Sequence, residues 1–146
     1  MPQMGSADIN RLRALQAKMN KLVEQDYDKF CEDMAIELAA RMLAKVVKRT
    51  PVGQYPAGSG KTGGTLRRGW NVNKNNLSAT KTGNAYEITL INPVEYASYV
   101  EFGHRTRGGA GFVTGQFFTT ISEKEIEREA PAIIERKLKA LLGEVF

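Results

Sequence analysis

Among its 146 residues the chain has one cysteine, Cys31, and one histidine, His104. A lone cysteine excludes an intrachain disulfide, and with a single histidine no zinc cluster can be assembled from this sequence. Cys31 lies among Tyr27, Phe30 and Met34 on a helical pattern, so a buried, inert thiol is expected. General-base chemistry at His104 would need an orienting carboxylate and a nucleophile. Glu101 is close in sequence, but no Ser or Cys pairs with it recognisably, and His104 reads as a surface loop residue. No apolar run approaches the roughly 20 residues that span a bilayer. The start, MPQMGSADINRLRALQ, lacks the apolar core of a secretory signal, so a cytoplasm-like compartment is expected, without membrane, metal or cofactor.

Acid is missing from a long stretch. Between Leu38 and Tyr86 there is no Asp or Glu, while Arg41, Lys45, Lys48, Arg49, Lys61, Arg67, Arg68, Lys74 and Lys81 supply nine positive charges against a whole-chain net of +5. A field of one sign attracts phosphate or an acidic protein surface. The other reading is a basic face that complements acidic helices of the same fold or of a neighbouring subunit.

What is present is ordinary for a soluble domain: 42% apolar and 25% charged residues, enough for one domain with a core spanning residues 1–146. From Ser6 to Arg49 apolar residues recur at steps of three and four, predicting helix, with Ser6 or Asp8 as the cap and Thr50-Pro51 as the stop. About 44 residues of helix would reach roughly 66 Å, so either a break near Gln25 to Asp28 or an interface with another subunit is expected. A glycine-rich loop follows at 52–65. Trp70–Val72, Leu77–Thr80 and Tyr86–Ile91 are strand candidates for a small antiparallel meander. A last amphipathic helix is expected from Ser122, with Ser122 and Glu125 at capping-box spacing and a kink or new segment at Ala130-Pro131. The fold class is α+β: long N-terminal helix, meander, short aromatic helix, C-terminal amphipathic helix.

Two motifs bear on chemistry. Gly58 to Thr62, GSGKT, suggests a phosphate loop, but the glycine required five positions before Gly60 is Tyr55, and neither a preceding strand nor a following helix is expected. It reads as a flexible loop. Glu123, Glu125, Glu127 and Glu129 crowd the first turns of the last helix, where they suit its dipole better than an acid/base pair.

The most informative stretch is Asn92 to Phe118. Tyr96, Tyr99 and Phe102 recur every three residues and fit a core or interface helix better than a base-stacking platform. Gly103, Gly108, Gly109, Gly111 and Gly115 then predict an extended, mobile arm at 103–116. Arg105 and Arg107 on that arm are either solvated or make an intersubunit or partner contact.

Four segments, Thr50-Pro51-Val52-Gly53, Gly64-Thr65-Leu66-Arg67-Arg68-Gly69-Trp70, Asn92 to Gly103 and Gly115-Gln116-Phe117-Phe118, resemble the tailed-phage head-tail joining family, the gene-product-ten-like tail-completion or neck proteins. The resemblance covers about Phe30 to Phe146, and its specific portion is NPVEYAxYVEFG. The longer loop from Gln54 to Gly63 and Gly69-Trp70 depart from the usual pattern. The resemblance implies a non-enzymatic virion structural protein, assembled in the bacterial host, that forms a sixfold ring between the head connector and the tail tube, sheath or terminator. Relatives also occur in prophages and phage-tail-like bacteriocins. Subunit or partner contacts are then expected at Arg105, Arg107, Phe112, Phe117 and Phe118, and a lumen- or partner-facing basic set at Lys61, Arg67, Arg68, Lys74 and Lys81. The alternative is a basic nucleic-acid-binding module using the acid-free segment, with non-specific DNA proximity.

Overall fold

The computed structural model describes the backbone from Ser6 onward and side chains from Ile9, Val145 excepted. The expected caps Ser6 and Asp8 therefore lie outside the described side chains. The long helix forms without a break: α1 (Ser6–Lys21) passes through a π turn (Leu22–Asp26) into α2 (Tyr27–Arg49). Cys31 on α2 is half-buried, where a buried thiol was expected.

Thr50 ends the helix, as Thr50-Pro51 predicts, by turning to an extended conformation at ψ 123°. Its fully buried hydroxyl donates to the Val46 carbonyl at 2.6 Å and accepts the Trp70 indole N–H at 2.9 Å. Arg67 donates to the Thr50 carbonyl through Nε (3.2 Å) and Nη2 (2.9 Å) and to the Lys48 carbonyl (3.3 Å). Carbonyls that a helix C-terminus leaves orphaned are thus met by a cation, which its dipole also favours.

After the glycine-rich loop, α3 (Thr65–Gly69) runs into a 3₁₀ turn (Trp70–Asn73). Trp70–Val72 is therefore not a strand. The Asn73 side chain fixes the turn, donating to the carbonyls of Trp70 (3.1 Å) and Ile91 (2.8 Å) and accepting the Ile91 N–H (3.1 Å). Instead of a meander there are two separate hairpins. Strand β1 (Thr80–Thr82) pairs antiparallel with β2 (Ala85–Glu87), Thr82 opposite Ala85. The intervening Gly83 has φ 61°, as tight hairpin loops require. After α4 (Ala97–Phe102), β3 (Gly103–Arg105) pairs with β4 (Phe112–Thr114). The fold is α+β.

α5 (Phe118–Val145) starts one turn earlier than Ser122 and runs through Pro131 with no new segment at Ala130. Ser122 is not a cap: it is buried in the second turn, its hydroxyl donating to the Phe118 carbonyl at 2.7 Å and accepting Arg49 at 3.3 Å. α5 lies along α2. Lys45 bonds Glu125 (3.0 Å) and Glu129 (3.1 Å), Arg49 bonds Glu125, and Lys137 reaches Glu37 at 3.7 Å. Arg49 and then Lys45 hold the Glu125 carboxyl below the ordinary glutamate range. The core between these elements is Leu43, Val46, Leu66, Trp70 and Phe118, with Leu90, Val94, Ala97 and Val100 packed around it. Trp70 and Phe118 meet edge to face at 6.4 Å.

Candidate assembly surface

The stretch singled out by sequence, Asn92 to Phe118, folds as one connected unit. Asn92 donates to the Leu66 carbonyl at 2.8 Å and accepts the Val94 N–H at 3.1 Å, tying the chain to α3 just before α4. A side chain at Gly69 would collide with the Asn92 amide, which explains the glycine ahead of Trp70.

Of the two readings of the aromatic spacing, core or interface helix, the orientation of α4 excludes the core one. Ala97 and Val100 pack on the core and Glu101 is buried, whereas Tyr96, Tyr99 (57% exposed) and Phe102 (62% exposed) face outward. A six-residue helix has room for one inward face, and here the smaller residues take it because Trp70 and Phe118 already fill the space beneath. The aromatic triplet is thus no part of this domain's core.

Glu101 caps α5 from a distance. Its carboxylate accepts the backbone N–H of Thr119 (2.9 Å) and Thr120 (2.8 Å) and the Thr120 hydroxyl (2.6 Å). Burial acts to raise its pKa, but the bonds from Thr120 and Thr119 together outweigh that and hold it below the ordinary glutamate range. These amides are orphan donors of a helix N-terminus, where a carboxylate is favoured. The same contacts remove Glu101 as an orienting partner for His104, whose ring instead lies 5.9 Å from that of Tyr99.

The arm expected at 103–116 is a hairpin. Gly103 sits at φ 85°, and a side chain there would strike the Val113 carbonyl and the Phe112 ring; one at Gly115 would strike the Glu101 carbonyl. The chain returns to α4 through Gln116 N–H to Val100 (2.8 Å) and Phe117 N–H to Glu101 (3.0 Å). Phe117 takes φ 49°, unusual for a side-chain-bearing residue, and so splits the Phe117-Phe118 pair. Phe118 turns into the core at 2% exposure, which removes it from the contact candidates; Phe117 turns outward against Phe102, ring centroids 6.4 Å apart. Phe112 (63% exposed), Val113 and Ile121 are exposed nearby in the chain, with Arg105 at the end of β3 and Arg107 in the exposed turn beyond it.

The basic candidates do not gather. Arg67 is spent on the end of α2, and Arg68 donates to the Gly63 carbonyl (3.1 Å) and the Thr65 hydroxyl (3.4 Å). Lys81 pairs with Asp28 at 2.7 Å, and Asp28, held low by Lys81 and then by Tyr86, in turn pushes the Tyr86 hydroxyl up to about 12. Lys61 lies 5.7 Å over the Tyr55 ring and Lys74 is exposed in a turn. Since Arg41, Lys45 and Arg49 also pair with glutamates of α2 and α5, four of the nine cations of the acid-free stretch are neutralised within the fold. The partners on α5 were legible as its glutamate-rich start, whereas Glu37 and Asp28 on α2 were not singled out. Thr50 was legible as the helix stop but not as the partner of Trp70, and Asn73 and the capping role of Glu101 had no signal beyond being polar residues beside apolar ones.

The four segments quoted for the family resemblance therefore meet in space, around Thr50, Trp70, Asn92 and Glu101. A family model described as "Bacteriophage HK97-gp10, putative tail-component" matches residues 13–103, well over half of the chain. The chain belongs to this HK97-gp10-like family. No curated protein and no solved structure matches it. The family match takes in most of α1 and ends at Gly103, so the exposed rings Tyr99 and Phe102 fall inside it and the hairpin and α5 beyond it. Membership makes the chain a phage structural component of the tail-component class. Among the described residues no helix is long and apolar enough to cross a membrane.

Proposed function

We propose that this HK97-gp10-like chain folds as one domain and acts at the phage neck, as a ring-forming, non-catalytic tail-completion component between the head connector and the tail tube or terminator. One observation carries the reading: Tyr99, Phe102, Phe112 and Phe117 are presented on a rigid frame, far more exposed than aromatic residues of a lone domain usually are. The frame is stiff because Glu101, Gly103 and Gly115 lock α4, the hairpin and the start of α5 together. Exposed aromatics flanked by arginines are the composition of an interface core and its hot spots. A heterologous contact of this kind, repeated around an axis, closes a ring, for which six copies is the expected number. Arg105 and Arg107 would then reach the neighbouring subunit or the neck partner.

Mass photometry, alone and with connector and tail-tube proteins, tests this. A ring is expected, either free or on its partner, and the pair Phe102→Ser and Phe112→Ser should abolish it while leaving the melting temperature nearly unchanged. A wild-type chain that neither rings nor binds connector or tail proteins would remove the reading.

A further inference from the structure

A second apolar surface lies far from the aromatic one. Ile9, Leu12, Leu15, Met19, Val23 and Tyr27 are each 44% to 72% exposed and recur at steps of three and four, so they form one stripe along α1, the π turn and the first residue of α2. α1 packs on little besides the adjoining π turn. α1 is the free-standing first half of a longer helix, and an exposed apolar stripe on such a half is the kind of surface that a partner covers. On α2 the cover is α5, but α5 runs out. Lys45 meets Glu125 and Glu129 while Glu37 meets Lys137, and the same antiparallel progression brings the end of α5 alongside the start of α2.

The charges flanking the stripe say what fits it. From Ile9 to Lys21 there is no acid, only Arg11, Arg13, Lys18 and Lys21; from Leu22 to Asp33 there are Glu24, Asp26, Asp28, Glu32 and Asp33 against Lys29 alone. Asp28 and Asp33 already pair with Lys81 and Lys29. Glu24 and Asp26 form no ion pair among the described residues, nor do Arg11 and Arg13. The segment is basic at one end and acidic at the other, with an apolar seam between.

We propose that the occupant is the same segment of a second copy, packed antiparallel. Parallel packing would set basic half on basic half, whereas antiparallel packing sets basic on acidic at both ends. The spacing supports one register: placing Arg11 beside Asp26 of the second copy also places Arg13 beside its Glu24, with the two-fold axis passing between Lys18 and Met19. In that register Leu15 comes level with Leu22 of the second copy, and Ile9 comes level with Asp28 at the start of α2. The contact is isologous and closes at two copies, so it is separate from a ring and uses none of the aromatic surface.

The test is sedimentation equilibrium of the full chain in low and high salt. Wild type should dimerise, less tightly in high salt. Arg11→Glu with Arg13→Glu should weaken the dimer about tenfold or more, Glu24→Lys with Asp26→Lys should do the same, and all four together should restore it. Unchanged melting temperatures would show that each variant is folded. A wild type that stays monomeric, a four-substitution variant no tighter than either pair, or an assembly indifferent to every substitution would each overturn the proposal. Phe102→Ser with Phe112→Ser should leave this dimer intact, which separates its failure from that of the ring.

Discussion

The two halves of the long N-terminal helix have the same sequence pattern and opposite fates. α2 carries Met34, Leu38, Met42 and Val46 at helical steps, and α5, the 3₁₀ turn and the β1–β2 hairpin cover them. α1 carries Leu12, Leu15 and Met19 at the same steps and leaves them in water. Periodicity announces that a face will be covered; it does not say by what. On α2 the answer lies elsewhere in the chain, in the glutamates of α5 and in the Trp70–Thr50 bond. On α1 it has to come from outside.

Substitutions should separate the halves sharply. The largest effect is expected for Trp70→Ala, which empties the middle of the core and leaves the Thr50 hydroxyl without its indole partner. A loss of about 3–5 kcal/mol is expected in urea unfolding, with collapse of the folded state if the domain has less in hand. A loss under about 1 kcal/mol would show that the α2 half is held by something other than this core.

Glu101→Gln should come next, at about 1–3 kcal/mol, because an amide NH₂ would face the backbone donors that the carboxylate now accepts. Acid should reproduce part of that loss. Glu101 and Glu125 both have folded pKa values lowered from the ordinary 4.5, so their stabilisation is complete above the unfolded value and disappears as pH falls through the folded one. Melting temperature should therefore be flat above about pH 5.5 and fall below pH 4.5, less steeply in Glu101→Gln. A wild-type curve that does not respond to acid would contradict the assignment of both carboxylates.

The smallest effect is expected for Leu15→Ala on α1, within about 0.5 kcal/mol at concentrations where the chain is monomeric. A cost like that of a core leucine in dilute solution would mean that α1 folds back on its own domain.

How much of this the sequence disclosed follows from where each signal is stored. Helices were legible because their periodicity is local, down to Thr50 as the stop. Strands were less so: Trp70-Asn71-Val72 alternates like a strand, and only the remote Asn73–Ile91 pairing makes it a turn. The glycines at 103–115 looked like flexibility, yet Gly103 and Gly115 are there for close approach between backbones. The aromatic triplet fitted a core or an interface helix, and its spacing could not choose between them; its outward face is set by Trp70 and Phe118, which are distant in sequence. Phe117 and Phe118 are adjacent and were read alike, and one positive φ sends them to opposite sides.

The π turn at Leu22–Asp26 has a mechanical consequence. In regular α-helix a four-residue step overshoots a full circle by about 40°, so Met19, Val23 and Tyr27 would drift by about 80°. The wider turn takes up that drift and keeps the α1 stripe in line with the seam of α2. It works as a phase joint in a shaft. Deleting one residue there would remove about 100° of winding and give back the drift of about 80°, so the joint would become regular helix while α1 kept nearly the same neighbours.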